Sequence, residues 1–322
     1  CYSTPRRLVM FTLECTDYKL WNTPEFVEYL AHNQGKDIVI NINPEAIDID
    51  ELDVYRYIDA FQFSSVKIKT RNQLQKHTKY IIQHITENPF FESQVEINSE
   101  IHQWNQTKTF LCVYGRPIAS RLGFASWLDH HYPDQTVIQF TTHFNDDNPN
   151  FEWNKLASYD LDSLKFATDL VKSLPIQTVN NMHYNNLRSD WNWQDKDILN
   201  LYKSIFVDVV AENHNQGETF FPTEKITRPI YCKKPFIVFG NKDYLDYLHQ
   251  MGFKTFHDFW EQDYDGYEHK DRYCAMLKIL DQIGSKSKNE LKQMLDDMQP
   301  ILDHNYNLLV DKAYNYNIKK IV

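Results

Sequence analysis

Ile205-Phe206-Val207-Asp208-Val209-Val210 and Phe236-Ile237-Val238-Phe239-Gly240 frame the segment Phe220-Phe221-Pro222-Thr223-Glu224-Lys225-Ile226-Thr227-Arg228-Pro229-Ile230. Short apolar runs of this kind suit strands buried on both faces of a parallel sheet. The segment between them predicts a loop that delivers Glu224 and Lys225 to the start of a helix. A helix start offers unpaired N–H groups and the positive end of its dipole to phosphate oxygens. Lys225 adds a full charge, and Glu224 can accept hydrogen bonds from sugar hydroxyls. Sugar-nucleotide chemistry is the first expectation that follows.

The same alternation of strand and helix extends outward. Thr109–Tyr114 reads as a strand, Gly115-Arg116-Pro117 as a turn, Ile118–His130 as a helix and Val137–Phe140 as the next strand. Leu161–Leu174, Gln194–Lys203 and Asp243–Gln250 are expected helices, and Lys254–Phe256 a short strand. Residues 141 to 160, acidic and rich in Asn, are expected to be irregular. Upstream, Leu8–Leu13 and Asp37–Ile42 read as strands, and Thr23-Pro24-Glu25-Phe26 opens a helix with an N-cap and Pro at the first helical position. Apolar spacings of three and four predict helices over 50–61 and 71–85. The tail predicts helices near 268–283 and 286–314, the latter interrupted at Pro300.

Such alternation predicts an α/β fold with parallel sheets under helical cover. A polar stretch over 92–107 lacks a period and sets an expected boundary near residue 105. The expected organisation is a domain at 1–105, a second at 106–285, and a helical segment at 286–322 for which packing back on the first domain is one option. In doubly wound sheets, ligands bind outside the carboxyl ends of the strands.

With 322 residues the chain is long enough to bury a substantial core, and its 20 Tyr, 20 Phe and 7 Trp are read chiefly as packing. A net charge of −10 argues against a general nucleic-acid binder. No apolar run is long enough to span a membrane, and the N-terminus carries no signal-peptide pattern. The five scattered cysteines form neither a CxxC pair nor a zinc spacing, and a reduced, cytoplasmic compartment is expected. The chain starts at Cys1 without an initiator Met, so residues upstream are expected to be missing. Neither GxGxxG nor GxxxxGK[ST] is present, so dinucleotide and triphosphatase chemistries have no support. Asp-x-Asp pairs occur at 48/50, 160/162, 195/197 and 263/265, as chance alone provides in an acidic chain, and no metal or cofactor is expected.

Phe221-Pro222-Thr223-Glu224-Lys225-Ile226, followed by a helix and a Pro-Phe-Ile strand, resembles the nucleotide-sugar motif of α1,3-fucosyltransferase-type glycosyltransferases. The longer pattern runs through Tyr244–Leu248 and Gly252–Phe256 to Phe259-Trp260, and resembles viral and bacterial proteins loosely grouped with those enzymes. The resemblance spans about 108 to 283 and does not reach the N-terminal third. It implies two Rossmann-like domains facing a cleft (the GT-B-like arrangement), with a nucleoside diphosphate sugar held mainly by the C-terminal one. Lys225 would then contact the diphosphate and Glu224 the ribose or the sugar. Arg116 or Arg121 would neutralise the diphosphate, with Arg228 a weaker candidate and Thr223 and Glu212 lining the donor site. The implied activity is inverting, metal-independent sugar transfer to a hydroxyl of a glycan or another acceptor. Such transfer needs a general base. Glu14 and Asp17 follow the first strand and are the candidates, with His143 and His214 as alternatives. The competing expectations are a non-catalytic nucleotide-sugar- or glycan-binding protein, a structural module of a larger polypeptide, or, more distantly, a transferase acting on DNA.

Overall fold

The computed structural model describes residues 9–15, 24–44, 48–50, 54–85, 99–115, 117–140, 153–176, 196–213, 215 and 217–321. The chain divides into two compact units, Cys1–Asn88 with Gln216–Phe221, and Pro89–Asn215 with Pro222–Val322. Each is α/β and holds one four-stranded sheet, parallel at every pairing.

In the N-terminal unit, β1 (Val9–Cys15), β2 (Asp37–Pro44), β3 (Ser65–Thr70) and β4 (Ile81–His84) lie side by side in chain order. Helices α1 (Pro24–His32) and α2 (Val54–Asp59) connect the first three. Their Phe26, Leu30, Val54 and Ile58 close over Ile38, Ile40, Ile42 and Ile68 to make a dry core. Burial alternates along β3, while most of β4 is exposed, as a half-covered sheet requires.

The C-terminal unit is wound differently. Its strands β5 (Phe110–Tyr114), β6 (Thr136–Phe140), β7 (Val207–Ala211) and β8 (Phe236–Phe239) lie in the order β6-β5-β7-β8. All four are buried along their whole length. Helix α3 (Ala119–His131) follows β5, and α4 (Trp153–Tyr159), α5 (Leu161–Leu170) and α6 (Lys196–Leu201) precede β7. Helix α7 (Glu224–Tyr231) follows β7, and α8 (Tyr244–Gln250), α9 (His269–Gly284) and α10 (Lys288–Ile321) complete the chain. Gly123 lets α3 approach α9 closely, because a Cβ there would overlap the Tyr273 hydroxyl.

Several expectations are corrected. No helix covers 71–85; a turn leads into β4 instead. Thr70 Oγ1 accepts the Asn72 N–H (3.1 Å) and Asn72 Oδ1 accepts the Leu74 N–H (3.1 Å), so side chains take the bonds a helix would need. Lys254–Phe256 is not a strand, since Asn305 supplies both pairings itself, bonding the Lys254 N–H and C=O at 2.8 Å each. Helix α10 runs through Pro300. Its buried stripe Leu291, Leu295, Met298, Leu302, Asn305 and Leu309 keeps one register across the proline, and this packing offsets the lost backbone bond. Trp153–Tyr159, expected to be irregular, forms α4. The expected boundary near 105 stands beside an observed division after Asn88, and α10 clusters with the C-terminal unit, packing on α7. Segment 217–221 is tied to the N-terminal unit through Glu218, whose N–H meets Asp48 (2.8 Å) and whose C=O meets Asn72 (2.8 Å).

Candidate functional site

The strand order of the C-terminal unit reverses between β5 and β7. From β5 the chain moves outward to β6, and from β7 it moves the other way to β8. Right-handed crossovers in opposite directions carry α3 and α7 to opposite faces, so the loops leaving β5 and β7 part at the carboxyl edge, the place where such sheets bind ligands. Two arginines cross this point reciprocally. Arg121, on α3, donates from Nε to Ala211 O at the end of β7 (3.0 Å) and from Nη2 to Asn213 Oδ1 (2.6 Å). Arg228, on α7, reaches Val113 O of β5 (3.4 Å). Tyr114 adds a third tie, its hydroxyl donating to Val209 O at 2.7 Å.

Helix α7 starts where its sequence predicts. Thr223 has extended backbone and caps it, Oγ1 accepting the Lys225 N–H at 3.4 Å. Glu224 places an acid in the first turn, where the helix dipole favours it. Around this cap lies a buried ionic cluster. Glu212, one residue past β7, accepts from the Thr223 N–H (3.2 Å), the Thr223 hydroxyl (2.6 Å) and the Tyr244 hydroxyl (3.1 Å). Lys225 Nζ donates to Glu224 Oε1 (2.7 Å) and Thr223 Oγ1 (3.1 Å), and lies 3.7 Å from Glu212 Oε2. The Lys225 side chain is 5% exposed and both carboxylates 3%, so this is no surface ion pair. It is an acid–base cluster inside the unit.

On β7, burial pushes Asp208 up to about 7, opposed by Arg228 of α7 and by the bond from the Tyr202 hydroxyl. Burial alone would lower the Arg228 guanidinium, but Tyr202, Glu224 and Asp208 around it raise it overall. Burial, then Glu212, hold the Tyr244 phenol well above its ordinary value, so it stays a hydrogen-bond donor.

The structure thus brings Glu212, Thr223, Glu224 and Lys225 into one cluster, with Arg228 one turn along and Arg121 bonded to the strand end that leads into Glu212. Glu14 lies in β1 of the N-terminal unit, in register with Asn43. Asp17, Arg116, His143 and His214 lie outside the described residues. Sequence reasoning missed Tyr244 as a partner of Glu212. Its signal was its place at the start of the helix after β8, the same sheet edge as the motif.

No family model matches the chain, and no curated protein matches it. The N-terminal domain of Candida albicans trehalose-6-phosphate phosphatase is similar in structure over 98% of this chain and 70% of that one, at 11% identity and a TM-score of 0.39. A likeness this low carries no argument. The resemblance to fucosyltransferase-type enzymes therefore rests on the motif residues alone. Among the described residues no helix is long and apolar enough to cross a membrane.

Proposed function

We propose that the C-terminal unit holds a nucleoside diphosphate sugar and that the chain is a glycosyltransferase passing the sugar to a hydroxyl acceptor. The observation that carries this reading is the reversal of strand order between β5 and β7, with Glu212, Thr223, Glu224 and Lys225 gathered at the carboxyl edge beside it. Open α/β sheets bind ligands at such points. Lys225 and Arg121, with Arg116 and Arg228 as further candidates, would neutralise the diphosphate and stabilise the charge growing on the leaving group. Glu224 and Glu212 would accept from ribose or sugar hydroxyls. The donor would have to exchange with contacts already made, since Lys225 holds Glu224 and Arg121 holds Ala211 and Asn213. A carboxylate of the N-terminal unit, Glu14 or Asp17, would take the acceptor proton in an inverting, metal-independent transfer.

A second reading draws on the same contacts. On this reading, because Lys225, Arg121 and Arg228 are all buried and bonded within the protein, the unit serves as a binding or structural module without turnover. A thermal-shift screen of GDP, UDP, CMP and dTDP sugars on the unmutated chain separates the two from a protein with no donor site. At least one nucleotide sugar is expected to raise the melting temperature, and Lys225→Arg, which keeps the buried charge, to weaken that rise. Release of the nucleoside diphosphate with added acceptor then distinguishes enzyme from binder. If no nucleotide sugar shifts the transition, the transferase reading fails.

A further inference from the structure

The stretch Trp260–Arg272, leading into the first turn of α9, concentrates buried polar atoms that have no hydrogen-bond partner among the described residues. They are Trp260 Nε1, Gln262 Nε2, Asp265 Oδ1, His269 Nδ1 and, on one guanidinium, Arg272 Nε and Nη1. Arg272 is 2% exposed. Its guanidinium lies over the ring of Phe239, the last residue of β8, at 5.3 Å. Glu268, at the N-cap of the same helix, is already engaged by Lys242 at 2.9 Å. Asp265 feels the arginine electrostatically, yet its one bonded oxygen accepts the Leu245 N–H at 2.6 Å and the other is bare. A buried cation whose donors meet nothing is strongly unfavourable, and proteins rarely keep one without a counter-group.

The surroundings specify what that group is. His269 Nε2 lies 2.8 Å from Asn215 O and 3.1 Å from Asn215 Oδ1, both acceptors, which assigns the proton to Nε2 and leaves Nδ1 as a bare acceptor. Burial and Arg272 push this imidazole down to about 4, so it is neutral at pH 7 and does not compete as a charge. Burial pushes the Asp265 carboxyl up to about 7, which softens its repulsion of an anion. The first turn of α9 adds the positive end of a 16-residue helix, and Glu268 at its N-cap makes no capping bond. Arg272 therefore offers two bare donors on one fixed positive charge, and His269 an acceptor for a protonated oxygen.

We propose that Arg272, flanked by His269 and Asp265, forms an oxoanion site for the phosphate group of a ligand at the carboxyl end of β8. The site uses none of the Glu212–Lys225 cluster and does not depend on the donor reading. A tetrahedral phosphate presents acceptor oxygens to both bare guanidinium nitrogens and, when protonated, one donor to His269 Nδ1.

The test titrates the full chain with inorganic phosphate and with pyrophosphate, using chloride at matched ionic strength as reference. Thermal shift and calorimetry are the readouts. At saturation either anion is expected to raise the melting temperature by roughly 2–4 °C over chloride. Arg272→Lys, which keeps a charge but loses the planar donors, is expected to weaken binding by about 10-fold or more. Lys172→Met, which removes an exposed cation of the same unit, is expected to leave phosphate binding unchanged. The proposal is overturned if neither anion shifts the unmutated protein, or if Arg272→Lys binds as tightly as the parent. Either result would identify Arg272 as a buried charge solvated by water alone. Should Arg272→Lys fail to fold, the side-chain Nε–H resonances of the unmutated chain decide. One arginine signal must move with phosphate, and none moving sinks the idea.

Discussion

Each sheet carries a buried polar network at its carboxyl edge, and the two are built from different chemistry. In the N-terminal unit amide side chains organise the network. Gln75 accepts the Ile49 N–H (2.8 Å) and donates to Asp50 (3.0 Å) and the Tyr55 hydroxyl (3.2 Å), while Asn72 donates to Glu218 O (2.8 Å). In the C-terminal unit charges organise it, through Lys225, Arg121, Arg228 and Arg272 among Glu212, Glu224, Asp208 and Asp265. Neutral amides can be satisfied in place at modest net gain per bond. Buried charges are held only by full pairing, and where pairing is incomplete, as at Arg272, a ligand has something to complete. The strand orders match this contrast. The described N-terminal strands wind in one direction, whereas the C-terminal sheet reverses and so has a switch point.

The largest effect should come from removing the central cation. Lys225→Met leaves Glu212 and Glu224 buried with one fewer partner, and is expected to destabilise the C-terminal unit by about 3–5 kcal/mol. Urea unfolding read through hydrogen exchange of the β5–β8 amides measures it. In the other network, Gln75→Leu orphans the Ile49 N–H and is expected to cost about 2–3 kcal/mol, read in the β2 and β3 amides. If Gln75→Leu proves the more damaging, charge is not what distinguishes the two edges.

How much of this was legible beforehand follows from the same contrast. The strands β5 to β8 are buried along their whole length, so their sequences are apolar runs interrupted only by Thr136, Gln139 and Asp208, and they read directly. Ser65-Val66-Lys67-Ile68-Lys69-Thr70 alternates instead, and its strand went unread. The apolar spacing of 71–85 imitates a helix, because the side-chain bonds of Thr70 and Asn72 that prevent one are not periodic. In the candidate site, Thr223-Glu224-Lys225 announced itself as a cap, but its burial did not. Arg272 was not singled out, although a helix was expected near 268–283. The missed signal was its place on the stripe Arg272, Met276, Leu280, Gly284, a cation on an otherwise apolar helix face.

A pH series sharpens the comparison without disturbing packing as much. Asp208 is raised to about 7 in the folded unit by burial, whereas an unfolded Asp titrates near 3.9. Between those values the folded state binds the extra proton, so stability is fullest below about 4 and falls as pH rises to about 7. Asp265 acts in the same sense, and His269, lowered to about 4, in the opposite one between about 4 and 6.5. Urea midpoints at steps across this range should show a shallower fall for Asp208→Asn than for the parent. An unchanged slope would mean that Asp208 is ionised in the folded unit, held so by Arg228.

The smallest effect belongs to a charge that lies outside both networks. Asp160 caps α5, its Oδ2 accepting the Ser163 N–H at 2.6 Å, and it is one half of the Asp-x-Asp pair at 160/162. Asp160→Ala should lower stability by about 1 kcal/mol, the usual worth of an N-cap, while Asp160→Ser should recover most of it. Nucleotide-sugar and phosphate shifts should be the same in both variants as in the parent. A change in either shift would place Asp160 in the binding machinery, and the chemistry of the C-terminal edge would then extend beyond the residues its strand ends assemble.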